Sequence, residues 1–121
     1  MFTLADVYRA RQVISKYLVR TPLVYSRQLS RLLGFDVYLK LENLQPTRAF
    51  KVRGGVYFAM IRRDEAQRKG LIAASTGNHA QSIAYAGKLI GARVVIVMPE
   101  GVSRVKVEAL KDLGCRDSIS W

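Results

Sequence analysis

Phe50-Lys51, a lysine directly behind an aromatic ring, lies within the run Thr47-Arg48-Ala49-Phe50-Lys51-Val52-Arg53-Gly54-Gly55. A second, polar run, Ser75-Thr76-Gly77-Asn78-His79-Ala80, follows it at a distance that suggests a single shared site. These runs hold the residue types that could do chemistry. A lysine amine, with an ordinary pKa of about 10.4, is a nucleophile only when deprotonated, so a working lysine needs partial desolvation or neighbouring cations. Arg48 and Arg53 are near enough in sequence to supply them. Gly54-Gly55 is a poor choice inside a helix, where each glycine costs about 1 kcal/mol relative to alanine, so the pair implies a close approach to the backbone there.

Both runs require elements to hold them in place. Leu71-Ile72-Ala73-Ala74-Ser75 reads as a short apolar strand, and Gln81–Ile90 as a helix with Ile83, Ala86 and Ile90 on one face, ended by Gly91. Val94–Val97 follows as a fully buried strand, which gives a parallel βαβ unit. Ligands bind such sheets beyond the carboxyl ends of the strands. The Ser75 to His79 loop lies at that edge, where the unpaired N–H groups of a helix start favour an anion such as a substrate carboxylate. Ser75, Thr76 and Asn78 are equally the residue types that cap a helix with no ligand present.

Taken in order, Arg20-Thr21-Pro22-Leu23, Lys40-Leu41-Glu42-Asn43-Leu44-Gln45, the lysine run, the Asn78 loop and Val94-Val95-Ile96-Val97-Met98-Pro99 resemble the serine/threonine dehydratases of the fold-type II pyridoxal-phosphate (PLP) enzymes. The resemblance covers nearly the whole chain. It implies an α/β layered domain with a parallel sheet of βαβ units, part of a tryptophan-synthase-β-like architecture. It implies pyridoxal 5'-phosphate as cofactor, joined to Lys51 as a Schiff base, with Phe50 packed on the pyridine ring and Asn78 hydrogen-bonded to the ring hydroxyl. Ser75, Thr76, Gly77, Asn78 and His79 would bind the substrate, and Lys51, once freed, would serve as general base. The implied reaction is dehydration and deamination of L-threonine or L-serine to a 2-oxo acid and ammonia, by a full-length form that is a homo-oligomer. Serine racemase and threonine synthase are the alternatives within the same chemistry. A non-catalytic remnant and a basic nucleic-acid-binding module are the alternatives outside it.

The sequence departs from the family pattern in several places. Many relatives carry a small residue and then serine before the phenylalanine, where this chain has Arg48 and Ala49. Racemase members use a serine as the opposite-face acid/base where this chain has Thr76, which favours one-sided elimination. Relatives hold the cofactor phosphate with a glycine-rich loop further along a longer chain, and the nine glycines here include no run beyond Gly54-Gly55. The expectation is therefore one domain, residues 1–121, forming the N-terminal part of a two-domain enzyme and unable to turn over by itself. Its tail, residues 115–121, departs from the family's strand in the manner of a truncated or non-native end.

Composition bounds the remaining classes. A chain of 121 residues, half of them hydrophobic, is enough for one core. Its apolar stretches are far shorter than the ~20 residues that cross a bilayer, and Met1-Phe2-Thr3-Leu4-Ala5-Asp6 lacks a secretion-signal pattern. The single cysteine, Cys115, excludes an internal disulfide and fits a reducing cytoplasm. His79 reads as loop architecture, and no cluster of Cys, His and carboxylates suggests a metal site. A net charge of +11 raises nucleic-acid binding, but the cations are scattered through every segment without interleaved aromatics.

The remaining elements follow from local signals. Thr3 caps a helix to about Leu18 with Val7, Ile14 and Leu18 on one side, and Thr21-Pro22 ends it. A helical turn spans Ser26 to Leu33, and Asp36–Glu42 alternates as a half-buried strand. One helix is expected from Lys51 to about Lys69, and Ser103 caps a last helix bearing Val107, Leu110 and Leu113.

Overall fold

The computed structural model describes residues 1–115 and the backbone of the strand Asp117–Ser120. Helix α1 spans Leu4–Ile14, strand β1 Leu23–Tyr25, α2 Arg27–Leu33 and β2 Tyr38–Lys40, followed by a 3₁₀ turn at Glu42–Leu44. Then come α3 at Val52–Ile61, α4 at Arg63–Lys69, β3 at Leu71–Ala74, α5 at Asn78–Ile90, β4 at Val94–Met98, α6 at Arg104–Asp112 and β5 at Asp117–Ser120. β3, β4 and β5 form a parallel sheet in that order, and β1 pairs with β2 antiparallel, Leu23 opposite Lys40. The expected α/β layering and the parallel β3–α5–β4 unit are both present.

Helices α3 and α5 pack on one face of the parallel sheet. Val52, Val56 and Ala59 from α3 meet Ile83, Ala84, Ala86 and Ile90 from α5 above Leu71, Ala73, Val94, Ile96 and Met98. Burying each larger side chain among these contributes about 1.5–3 kcal/mol. Small residues let the layers approach closely. A Cβ on Gly55 would lie 2.1 Å from the Ser82 hydroxyl oxygen, and one on Gly87 would lie 2.1 Å from a Val94 methyl. Gly54 is different, because an added Cβ there would meet nothing within 4 Å. The close approach expected at the glycine pair therefore concerns Gly55 alone.

Several expected elements change. α1 stops at Ile14 rather than Leu18, since Ser15 turns its hydroxyl back onto the Gln12 carbonyl at 3.1 Å and a turn follows. Leu18 reaches the core from beyond the helix, while α1 itself buries no residue. The strand expected over Asp36–Glu42 shrinks to three residues, because the Val37 N–H is taken by the Ser30 hydroxyl at 2.9 Å and the chain tightens into the 3₁₀ turn at Glu42. Its partner β1 was too short to show a sequence period. The single helix expected from Lys51 to Lys69 breaks at Arg62, whose φ of −119° and ψ of 27° leave the helical region. A second helix starts there with Asp64 and Glu65 in its first turn and Arg68 and Lys69 in its last, an arrangement that complements the helix dipole.

The sheet is also less enclosed than its apolar sequence suggests. In β4, Val94, Ile96 and Met98 are buried while Val95 and Val97 are half-buried, and Ile72 in β3 is 73% exposed. One face carries the helices and the other is open. Within the expected 115–121 tail, Cys115 is buried and Asp117–Ser120 forms β5, paired with β4 from Val95 to Met98. Parallel pairing engages backbone groups whatever the side-chain pattern, so sequence drift did not preclude it. Arg116 and Trp121 lie outside the described residues.

A polar cluster ties the first 45 residues to α3. The Arg53 guanidinium donates to both Glu42 carboxylate oxygens at 2.8 Å, and the Thr21 hydroxyl donates to the same carboxylate at 2.5 Å. Gln45, 2% exposed, donates through Nε2 to the Val19 carbonyl at 2.9 Å, and Lys40 donates to the Thr21 carbonyl. The bidentate bond from Arg53 is the main reason the Glu42 pKa falls from an ordinary 4.5 to about 2, against the opposing cost of burial.

Two predictions follow from this packing. Gly55→Ala forces a Cβ into Ser82 and should lower stability by about 2–3 kcal/mol, whereas Gly54→Ala, with open space, should raise it by about 0.5–1 kcal/mol. Urea midpoints of the two variants check this, and equal effects would contradict the packing. Because Glu42 has a depressed folded pKa, its contribution is complete above pH 4.5 and is lost as pH falls toward 2. Wild type should lose about 2–3 kcal/mol across that window through this group, and Glu42→Gln, already lacking the charge, should show a correspondingly shallower fall in urea midpoint.

Candidate functional site

β3 delivers the chain to its carboxyl end at Ala74, and the Ser75–Gly77 turn passes it into α5. The Ser75 hydroxyl accepts the Gly77 N–H at 3.2 Å, which closes this turn. Gly77 is the N-cap, so no side chain caps α5. Asn78 is the first helical residue and is exposed, as is His79, while Ser75, Thr76 and Gly77 are half-buried. The capping role open to Ser75, Thr76 and Asn78 is therefore not the one they play. The first turn of α5 keeps N–H donors for an anion.

Lys51 sits at the other side of this edge as the N-cap residue of α3, exposed, with the Phe50 ring 62% exposed beside it. A hydrogen bond joins the lysine run to α5. Ser82, completely buried in α5, donates its hydroxyl to the Lys51 carbonyl at 2.7 Å. Asn78 lies four residues before Ser82, hence one turn away on the same helical face, so the lysine run and the α5 start are neighbours. A groove of about 540 Å³ between them is lined by Pro46, Thr47, Arg48, Asn78 and Gln81, with Asp112 and neighbouring residues of α6 on its far wall. A larger cavity, about 750 Å³, lies elsewhere, between α1 and the Lys40–Glu42 segment, and takes in Arg53 but none of the Ser75–His79 loop.

Sequence reasoning missed Ser82, although a hydroxyl set among Ile83, Ala84 and Ala86, one turn after Asn78, was a usable signal. It did not find the partner of Arg53. The charge of Arg53 is engaged by Glu42, which raises the guanidinium pKa and leaves less of its field for the Lys51 amine. Among the described residues no group of Cys, His and carboxylates could hold a metal ion, and no helix is long and apolar enough to cross a membrane.

The donor set fits the head of a PLP molecule: a primary amine, an exposed aromatic face, a carboxamide free of capping duty and an uncapped helix start. It does not extend to the phosphate. The glycines with positive φ, at 34, 70, 91, 101 and 114, are separate helix ends and turns and form no loop that could wrap an anion.

Similarity to known proteins agrees with this donor set. L-threonine ammonia-lyase of Thermotoga maritima is 39% identical over 116 residues, which cover 96% of this chain and 29% of that protein. The catabolic L-threonine dehydratase of Staphylococcus aureus is 43% identical over 115 residues, covering 94% of this chain and 33% of that one. The chain thus spans about a third of the length of these relatives. The crystal structure of serine racemase from Dictyostelium discoideum superposes with a TM-score of 0.90 at 34% identity, over 98% of this chain and 38% of that one. The sequence profile of the pyridoxal-phosphate dependent enzymes matches residues 14–117, and the chain belongs to that family.

Proposed function

We propose that the chain supplies the lysine-bearing wall of a PLP-dependent ammonia-lyase site that acts on L-threonine or L-serine and yields a 2-oxo acid and ammonia. The observation that carries this reading is the bond from Ser82 to the Lys51 carbonyl, which sets the lysine run against the uncapped start of α5. Relatives named for threonine at 39 and 43% identity support it.

When bound, PLP supplies an electron sink for the carbanion at the substrate α-carbon. Lys51 is the amine that would hold the cofactor's aldehyde end. Its Nζ, when free, would take the substrate α-proton, a task that requires the neutral amine. Phe50, whose ring is exposed, would pack against the pyridine, and Asn78, also exposed, would hydrogen-bond the ring hydroxyl through its carboxamide. The Ser75–Gly77 turn and the first N–H groups of α5 orient the substrate carboxylate through hydrogen bonds and the positive end of the helix dipole. Thr76 stands where racemases use serine. Its added methyl crowds a second proton transfer from the opposite face, which favours elimination over racemisation even though the fold superposes on a serine racemase.

Borohydride reduction after addition of PLP, followed by peptide mapping, should place the pyridoxyl group on Lys51 in preference to the other six lysines. An even spread over all seven would sink the assignment. Lys51→Ala should abolish this labelling without altering the circular dichroism of the chain. In a form that turns over threonine, it should lower 2-oxobutanoate production by about 10³-fold or more, since covalent catalysis loses its amine. Thr76→Val should weaken threonine binding more than cofactor binding, and Asn78→Ala should instead shift the cofactor's visible absorption. Matching losses in both variants would indicate a damaged loop.

A further inference from the structure

Lys51 enters α3 with little support from the helix it opens. It is the N-cap residue, but its backbone is already helical, at φ −55° and ψ −28°, and no side chain caps the helix there. The first turn holds no acidic residue to meet the positive end of the helix dipole. Gly54 and Gly55 follow at once, each about 1 kcal/mol less favourable than alanine inside a helix. The first intrahelical bond, from the Gly55 N–H to the Lys51 carbonyl, is long at 3.3 Å. A helix start built this way frays when left to itself.

The support comes from α5. The Lys51 carbonyl accepts a second donor, the Ser82 hydroxyl, and at 2.7 Å this bond from the neighbouring helix is the shorter of the two. A serine inside a helix ordinarily turns its hydroxyl to solvent or back to a carbonyl of its own helix. Ser82 is fully buried and sends its hydroxyl across to α3 instead. Packing alone does not call for a hydroxyl here, because Ala80, Ala84 and Ala86 fill equally buried positions of the same helix. Gly55, by lacking a Cβ, leaves open the space the hydroxyl occupies. We propose that Ser82 is the positioning residue of the reactive lysine. It holds the Lys51 backbone, and with it the origin of the amine-bearing side chain, at a fixed place beside the start of α5, although its own buried hydroxyl reaches neither cofactor nor substrate. The proposal deepens the reading of Lys51 as the PLP lysine and rests on it.

The test compares Ser82→Ala with a packing control, Ile83→Val. Ser82→Ala removes the hydroxyl, keeps the Cβ and leaves the Lys51 carbonyl its bond from Gly55, so the chain should retain its circular dichroism with a melting temperature lowered by a few degrees. PLP is added and trapped with borohydride at short times, and the rate of pyridoxyl incorporation at Lys51 is taken relative to the other six lysines. That ratio should fall about tenfold in Ser82→Ala, because a small displacement of a reacting group is costly in rate. Ile83→Val trims a buried side chain in the same turn of α5, and it should lower the melting temperature comparably while leaving the ratio as in wild type. An unchanged ratio in Ser82→Ala would overturn the proposal, as would an equal fall in Ile83→Val, the signature of general loosening. If the wild-type chain labels its seven lysines evenly, the lyase reading fails, and ¹H–¹⁵N heteronuclear NOEs over residues 51–55 decide the positioning role by themselves. A drop in Ser82→Ala that is absent from Ile83→Val keeps that role, and no drop removes it.

Discussion

The contact between α3 and α5 is the constraint on which the rest of the structure depends. Gly55 leaves no room for a side chain, which lets the Ser82 hydroxyl come up against α3 and reach the Lys51 carbonyl at 2.7 Å. That carbonyl lies at the start of α3, so the bond sets where the helix begins and where the lysine side chain leaves the backbone. Ser82 is fully buried, and an unpaired hydroxyl there would cost about 1–3 kcal/mol, so the contact holds its register strongly. The same helix, α5, begins at the ligand edge of the sheet. One packing contact therefore determines both the core and the spacing of the site.

Electrostatics divides along the same line. Glu42 and Arg53 satisfy each other at the base of α3, together with Thr21 and Gln45, and knit the first 45 residues to the helix. This pairing engages the Arg53 charge with Glu42. The ion pairs of Glu65 with Arg62 and Lys69 are exposed and contribute little beyond helix α4 itself. Arg48 is the cation that remains at the site edge, held there by a backbone conformation that its own side chain does not favour. The net charge of +11 is otherwise spread along the whole chain, and several apolar side chains of α1 and β1, such as Val7 and Leu23, stand in solvent.

What the sequence determined by itself was local or periodic. The βαβ unit over residues 71–98 was legible because strand period, helix period and the stop at Gly91 agree within 28 residues, and the two chemical runs were legible because their residue types are rare in combination. Thr3 with Asp6 and Ser26 before α2 announced their helix starts for the same local reason. Tertiary structure decided whatever depends on residues distant in sequence. The break at Arg62 and the pairing of β1 with β2 lie in segments whose periodicity is too short to register. The roles of Gly54 and Gly55, adjacent and alike in sequence, were separated only by Ser82, 27 residues after Gly55, and Arg53 was claimed by Glu42, 11 residues before it. Side-chain type sets what a residue can do, but which neighbour saturates its hydrogen bonds and charge is settled by packing, and that is why the site's residues were readable and their working states were not.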